Sequence, residues 1–165
     1  MQRRDIDIYR LQPTLQDLKD HLRITDDSHD RMLMIYLSSA VLQAEHVISR
    51  NLAPSICQIE TDYTSFVTLP YMDDASSLTD LEVLVDGERR TWTLTGSDVH
   101  IDGPEGQKMS ISYHLDVDFV EADIQQAILL MAAQHFSNPL DRAQTLPTAS
   151  ENLLAPYRQW KTRYT

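Results

Sequence analysis

Six histidines and 25 acidic side chains are the residues of this chain best suited to chemistry, and they gather in a few places. The stretch "DDSHD" sets His29 among Asp26, Asp27 and Asp30. A metal centre needs three or four ligands converging at fixed geometry, whereas neighbours at the start of a helix splay apart. An acid-rich helix start accounts for this cluster without an ion. His100 and Asp102 share one side of an expected strand, with His114 expected on a neighbouring one. That trio would suit a metal-dependent hydrolase, or an acid/base pair if a pocket enclosed it. The plainer account is a row of solvent-facing strand residues. His135 falls on the apolar stripe of an expected helix, as a core or interface histidine would. Ser38 and Ser39 lack a G-x-S-x-G setting. G-x-G-x-x-G, a phosphate loop, C-x-x-C and H-E-x-x-H are all missing. The sequence therefore predicts no catalytic residue, no metal and no cofactor.

Composition narrows the partners. The 165 residues suffice for one domain, or one domain with a sizeable insertion. Fourteen basic residues leave a formal charge of −11. A surface that grips nucleic acid is basic, because neutralising phosphates supplies most of that affinity. Arg3-Arg4 and the Arg158, Lys161, Arg163 group are too small to reverse the balance. The single cysteine, Cys57, allows no internal disulfide, fits a reducing compartment and reads as a small buried strand residue. "MQRRDIDIYR" is too polar for a signal peptide. No run approaches the roughly 20 apolar residues of a membrane span. A soluble chain that starts in a cytoplasm is the expectation.

The elements that position these residues change period twice. Thr14 caps a short helix, with Asp17 completing a capping box and Leu15, Leu18 and Leu22 on one face. A second helix, begun by Asp27 or Ser28, runs from about Asp30 to about Asn51. Its stripe is Leu33, Leu37, Ala40, Val41, Ala44, Val47 and Ile48, and its polar side holds Ser38, Ser39, Glu45, His46 and Ser49. Met32 and Ile35 lie off the stripe. They are either ordinary exposed apolar residues or contacts to another subunit. After Pro54 the period falls to two: Cys57, Ile59 and Thr61, then Leu81, Val83 and Val85 before a "DGE" hairpin, with Trp92 and Leu94 on the returning strand. Val99 with Ile101, and Met109, Ile111, Tyr113 and Leu115, continue the alternation. The helical period returns at Glu121, with Asp118 and Glu121 as a second capping box, and stops at Pro139. A final helix begins near Ser150.

The fold expected is α+β: mainly a helical bundle of about four helices with an inserted antiparallel β-sheet region. Residues 1–54 and 118–165 form the helical core, 56–117 the β insertion and 150–165 a C-terminal arm or helix. That arm carries Leu153, Leu154, Tyr157, Trp160 and Tyr164 among basic residues. It is anchored either on its own domain, as suits Leu153 and Leu154, or on a partner, as suits Trp160 and Tyr164.

Three segments in order frame the chain: "TLQDLKDHLRITDDSHDRMLMIYLSSAVLQAEHVISRNL", "EADIQQAILLMAAQHFSNP" and "LLAPYRQW". Together they resemble the head-tail connector (adaptor) proteins of tailed bacteriophages. "HLDVD" and "LPTAS" depart from the glycine-containing turns of that pattern. The resemblance implies structural work rather than catalysis. It implies a ring of copies below the portal, dodecameric in the virion, meeting a tail or stopper protein. DNA would pass through without sequence-specific binding, and no membrane would be involved. It also implies that a C-terminal segment holds the portal. Carried onto this chain, the gripping positions are Leu153, Leu154, Tyr157, Arg158 and Trp160; Met32 and Ile35, off the stripe, and Tyr164, on the aromatic arm, complete the interface residues expected. The rival expectations are the hydrolase of His100, Asp102 and His114, and a cytoplasmic ligand-binding module.

Overall fold

The computed structural model of the protein describes residues 1–72, 77–138 and 147–158. The chain is α+β and divides into two compact units. One holds Met1–Asp7 with Ala53–Val117, the other Ile8–Leu52 with the chain from Asp118 onward.

The first unit is built from antiparallel strands. β1 (Gln2–Ile6), β2 (Ser55–Asp62), β8 (Lys108–Leu115), β4 (Leu78–Val85) and β5 (Glu88–Arg89) form a five-stranded sheet in that spatial order. β3 (Phe66–Thr68), β7 (Asp98–Ile101) and β6 (Trp92–Thr95) form a three-stranded one. The alternating residues behave as period two demands. Met109, Ile111, Tyr113 and Leu115 of β8 are all buried, together with Cys57, Val83, Val85, Val99 and Ile101, in one core. Tyr113 is wholly enclosed, and its hydroxyl donates to the Pro70 carbonyl at 2.9 Å. Burial pushes this phenol far above its ordinary pKa.

The "DGE" hairpin forms between β4 and β5. Asp86 and Gly87 both take positive φ, 51° and 85°, which is what a two-residue turn matching the strand twist requires. The Asp86 carboxylate then accepts the backbone N–H groups of Lys108, at 2.9 Å, and Gln107, at 3.0 Å. Two expectations need correction here. The returning strand is the short β5, whereas Trp92 and Leu94 belong to β6 and pair with β7 in the other sheet. The amino-terminal residues, expected to open the helical part, form β1. Their partner β2 lies some fifty positions on, Gln2 facing Ile59 and Ile6 facing Ser55.

The second unit is helical. α1 (Leu15–Leu22) begins with the expected capping box: Thr14 Oγ1 accepts Asp17 N–H, and Asp17 accepts Thr14 N–H at 2.8 Å. α2 (Asp30–Ile48) buries Leu33, Leu37, Ala40, Val41, Ala44 and Ile48. α3 (Ala122–Ser137) buries Ile124, Ala127, Ile128, Met131 and Ala132, and the two helices pack on each other. α4 (Thr148–Leu154) packs on α3. There the buried Ser150 hydroxyl donates to the Ala127 carbonyl at 3.2 Å.

Capping departs from expectation at two helices. α2 starts after His29 with no side-chain cap, and Asp26 instead accepts Ser28 N–H in the loop before it. The acids of "DDSHD" serve Lys19: its buried ammonium lies 2.6 Å from Asp27 and 2.9 Å from Asp30. Hydrogen bonding to Asp27, then to Asp30, holds that ammonium's pKa above the ordinary lysine value. α3 starts after Glu121, also without a side-chain cap. Glu45, expected on the polar side of α2, is buried and accepts Leu52 N–H at 2.8 Å. Ser49 turns the chain out of α2 with a left-handed backbone, φ 57°.

Candidate functional site

The histidines do not assemble. His100 lies on β7 of the small sheet, its ring tilted against that of Phe66. His114 lies on β8 of the large sheet, 3.7 Å from Asp80. Asp102 follows β7 and donates its backbone N–H to Thr91. The expected hydrolase trio is therefore split between two sheets. Among the described residues no group of three or more His, Cys, Asp or Glu is placed to hold a metal. His135 stacks on Tyr36 between α3 and α2, and His29 meets Phe136 edge-on. These contacts are structural. No described helix is long and apolar enough to cross a membrane.

Apolar surface is the more informative feature, and on the helical unit part of it lines a groove. A groove of about 760 Å³ is walled mainly by Ile8, Tyr9, Leu15, Met34, Ile35 and Leu42. It exists because α2 carries a second apolar stripe. Arg31, Met34, Ile35, Ser38 and Leu42 follow one another at helical spacing, turned away from the buried face. Ile35 is 54% exposed and Tyr9 85%. Tyr9 sits on a 3₁₀ turn, Ile8–Arg10, just before α1. Met32 is exposed on the same helix but does not line the groove. Periodicity singled out Met32 and Ile35. It passed over Met34 and Leu42, which a second stripe beside Ile35 would have revealed, and Tyr9, whose place depends on the turn.

Another exposed apolar side chain is Phe119, at 65%. The backbone on both sides of it is pinned by one side chain: Gln12 donates to the Asp118 carbonyl at 3.2 Å and accepts Val120 N–H at 3.1 Å. Val120 is buried, so the ring of Phe119 is held outward. Nothing local in "VDFVEAD" signals this clamp, since its partner stands more than a hundred positions earlier.

The C-terminal positions divide. Leu154 is fully buried in the helical unit and Leu153 half-buried, so Leu154 is not free to meet a partner. Tyr157, on a 3₁₀ turn (Ala155–Tyr157), donates its hydroxyl to Asp123 at 3.3 Å, and Arg158 is exposed. Trp160 and Tyr164 lie outside the described residues.

This surface-dominated arrangement meets a matching family. Residues 12–83 match the family described as phage gp6-like head-tail connector protein. The match agrees with the resemblance over the first of its three segments, and it is to a family of head-tail connectors. The matched stretch spans α1, α2, β2, β3 and most of β4.

Solved structures agree on the fold. A chain from the neck of an empty GTA particle, computed with C6 symmetry, superposes with TM-score 0.70 at 20% identity. One from the virion of a native gene transfer agent particle gives 0.71 at 20%. One from the neck of the native GTA particle with C12 symmetry gives 0.70 at 19%. Each comparison covers 100% of this chain and 98% of the other. No curated protein matches the sequence.

Proposed function

We propose that this chain is a structural head-tail connector, a subunit of the ring that joins the portal of a filled phage-like head to its tail or stopper protein. The observation that carries this reading is the family match over residues 12–83. The likeness to chains from particle necks supports it. In this reading the helical unit acts as a bundle that builds the ring, residues 56–117 are a β insertion carried on it, and twelve copies match the portal in the virion, as the C12 neck suggests. The chain waits in the host cytoplasm until the head is filled. Leu153, Tyr157 and Arg158, with Trp160 and Tyr164 beyond them, face the portal.

The chain's acidity suits a DNA conduit. Duplex DNA carries about one charge per 1.7 Å, and a wall of net negative charge repels it within about 8 Å at physiological salt. A formal charge of −11 per subunit favours sliding over gripping. Deleting the gene from its phage or prophage tests the proposal. DNA-filled heads that lack tails are expected, restored by supplying the chain in trans. Normal tailed particles from the deletion would refute it.

A further inference from the structure

We propose that the groove beside α2 is the seat for Phe119 of a second copy, so that adjacent subunits join knob into groove. This inference rests on the ring reading and names the surfaces that close the ring.

A closed ring needs two different patches on each subunit, one complementary to the other, because every contact is head-to-tail. The helical unit displays such a pair. The groove of Ile8, Tyr9, Leu15, Met34, Ile35 and Leu42 is apolar and open. Phe119 is an exposed aromatic anchor, held outward by the two Gln12 hydrogen bonds before any partner arrives. Fixing an anchor in advance removes part of the ordering cost of association, and a buried aromatic in a pocket is the usual centre of binding energy at an interface.

Charge commits the occupant to a second copy. Arg31 lines the groove, is exposed, and makes no ion pair among the described residues. Asp118 adjoins Phe119, is exposed, and its carboxylate likewise has no ion pair among the described residues. One copy therefore supplies an apolar knob with an anion beside it, and another supplies an apolar groove with a cation, neither in an ion pair among the described residues. Seating Phe119 brings Asp118 to Arg31, and opposite charges at a rim fix register and partner.

The test uses the full chain in two forms with one added cysteine each, Phe119→Cys and Ile35→Cys. The native Cys57 is buried, and the unmodified chain serves as its control. A short bis-maleimide is added to each form alone, to their equimolar mixture, and to the mixture assembled on purified portal. The mixed cross-link should exceed either homodimer several-fold in both mixtures. Arg31→Glu and Asp118→Lys should each lower that yield several-fold, and both changes together should restore it. Equal yields of all three dimers, cross-linking of Ile35→Cys to portal instead, or no rescue by the double reversal would overturn the contact. Rings on portal without the mixed cross-link would refute this contact while leaving the connector reading intact. A mixed cross-link without rings on portal would support the contact and count against the ring.

Discussion

Asp86 shows how a single side chain secures the β unit. It occupies a left-handed turn position, which Asp and Asn tolerate better than most residues, and its carboxylate collects two backbone N–H groups from the start of β8. The N–H of Lys108, then that of Gln107, holds its pKa below the usual carboxylate value. A carboxyl depressed on folding stabilises the protein above its unfolded pKa, and that contribution is lost as pH falls through the lower folded value. Asp86→Asn keeps the turn and removes the charge. The variant should be less stable than the parent at pH 7, and the gap should shrink as pH drops below about 4. Denaturant unfolding of both chains across pH 2–7 measures this, and a gap independent of pH would contradict it. The turn itself was legible because "DGE" states its own geometry. The carboxylate's second task was not, because Gln107 and Lys108 reach it only through the fold. The same holds for Lys19, whose burial depends on two aspartates across a loop.

Periodicity, among the elements, reports one packed face and says little about a second. The stripe of α2 from Leu33 to Ile48 was plain in the sequence, and most of it is buried. The groove face was half visible, as Met32 and Ile35, because two stripes on one helix blur each other. Glu45 is buried although a carboxylate at the border of a stripe reads as solvated. Its burial makes sense only with Leu52 N–H, freed where Ser49 turns the helix off. Glu45→Ala strands that donor and should cost about 1–3 kcal/mol, whereas Glu45→Gln, which keeps an acceptor, should cost less. Thermal unfolding of the two variants ranks them. Equal losses would mean the carboxylate matters for its charge and not as a cap. β1 escaped detection for a related reason: "QRRDI" has no apolar alternation, and only pairing with β2 makes it a strand.

For the whole molecule, the order of helices, sheets and helices was readable, because each change of hydrophobic period marks a change of architecture. Which end belongs where was less so. Residues 1–7 join the β unit although they precede the helices, a consequence of long-range strand pairing that no local window contains. The surfaces lay further still from the sequence. Leu154 proved internal, Phe119 gained its exposure from a glutamine beyond any local pattern, and Trp160 and Tyr164 lie outside the described residues. The family pattern was legible in its first segment, where leucines and short polar breaks in a fixed order fall inside the matched residues 12–83. The claim that everything else serves is that this chain does its work as a ring in a particle. Electron microscopy of necks from purified particles, with the chain tagged, measures that directly. A tagged ring between portal and tail is expected, with one copy per portal subunit. Tailed particles whose necks carry no tag, and whose protein inventory lacks the chain, would contradict it.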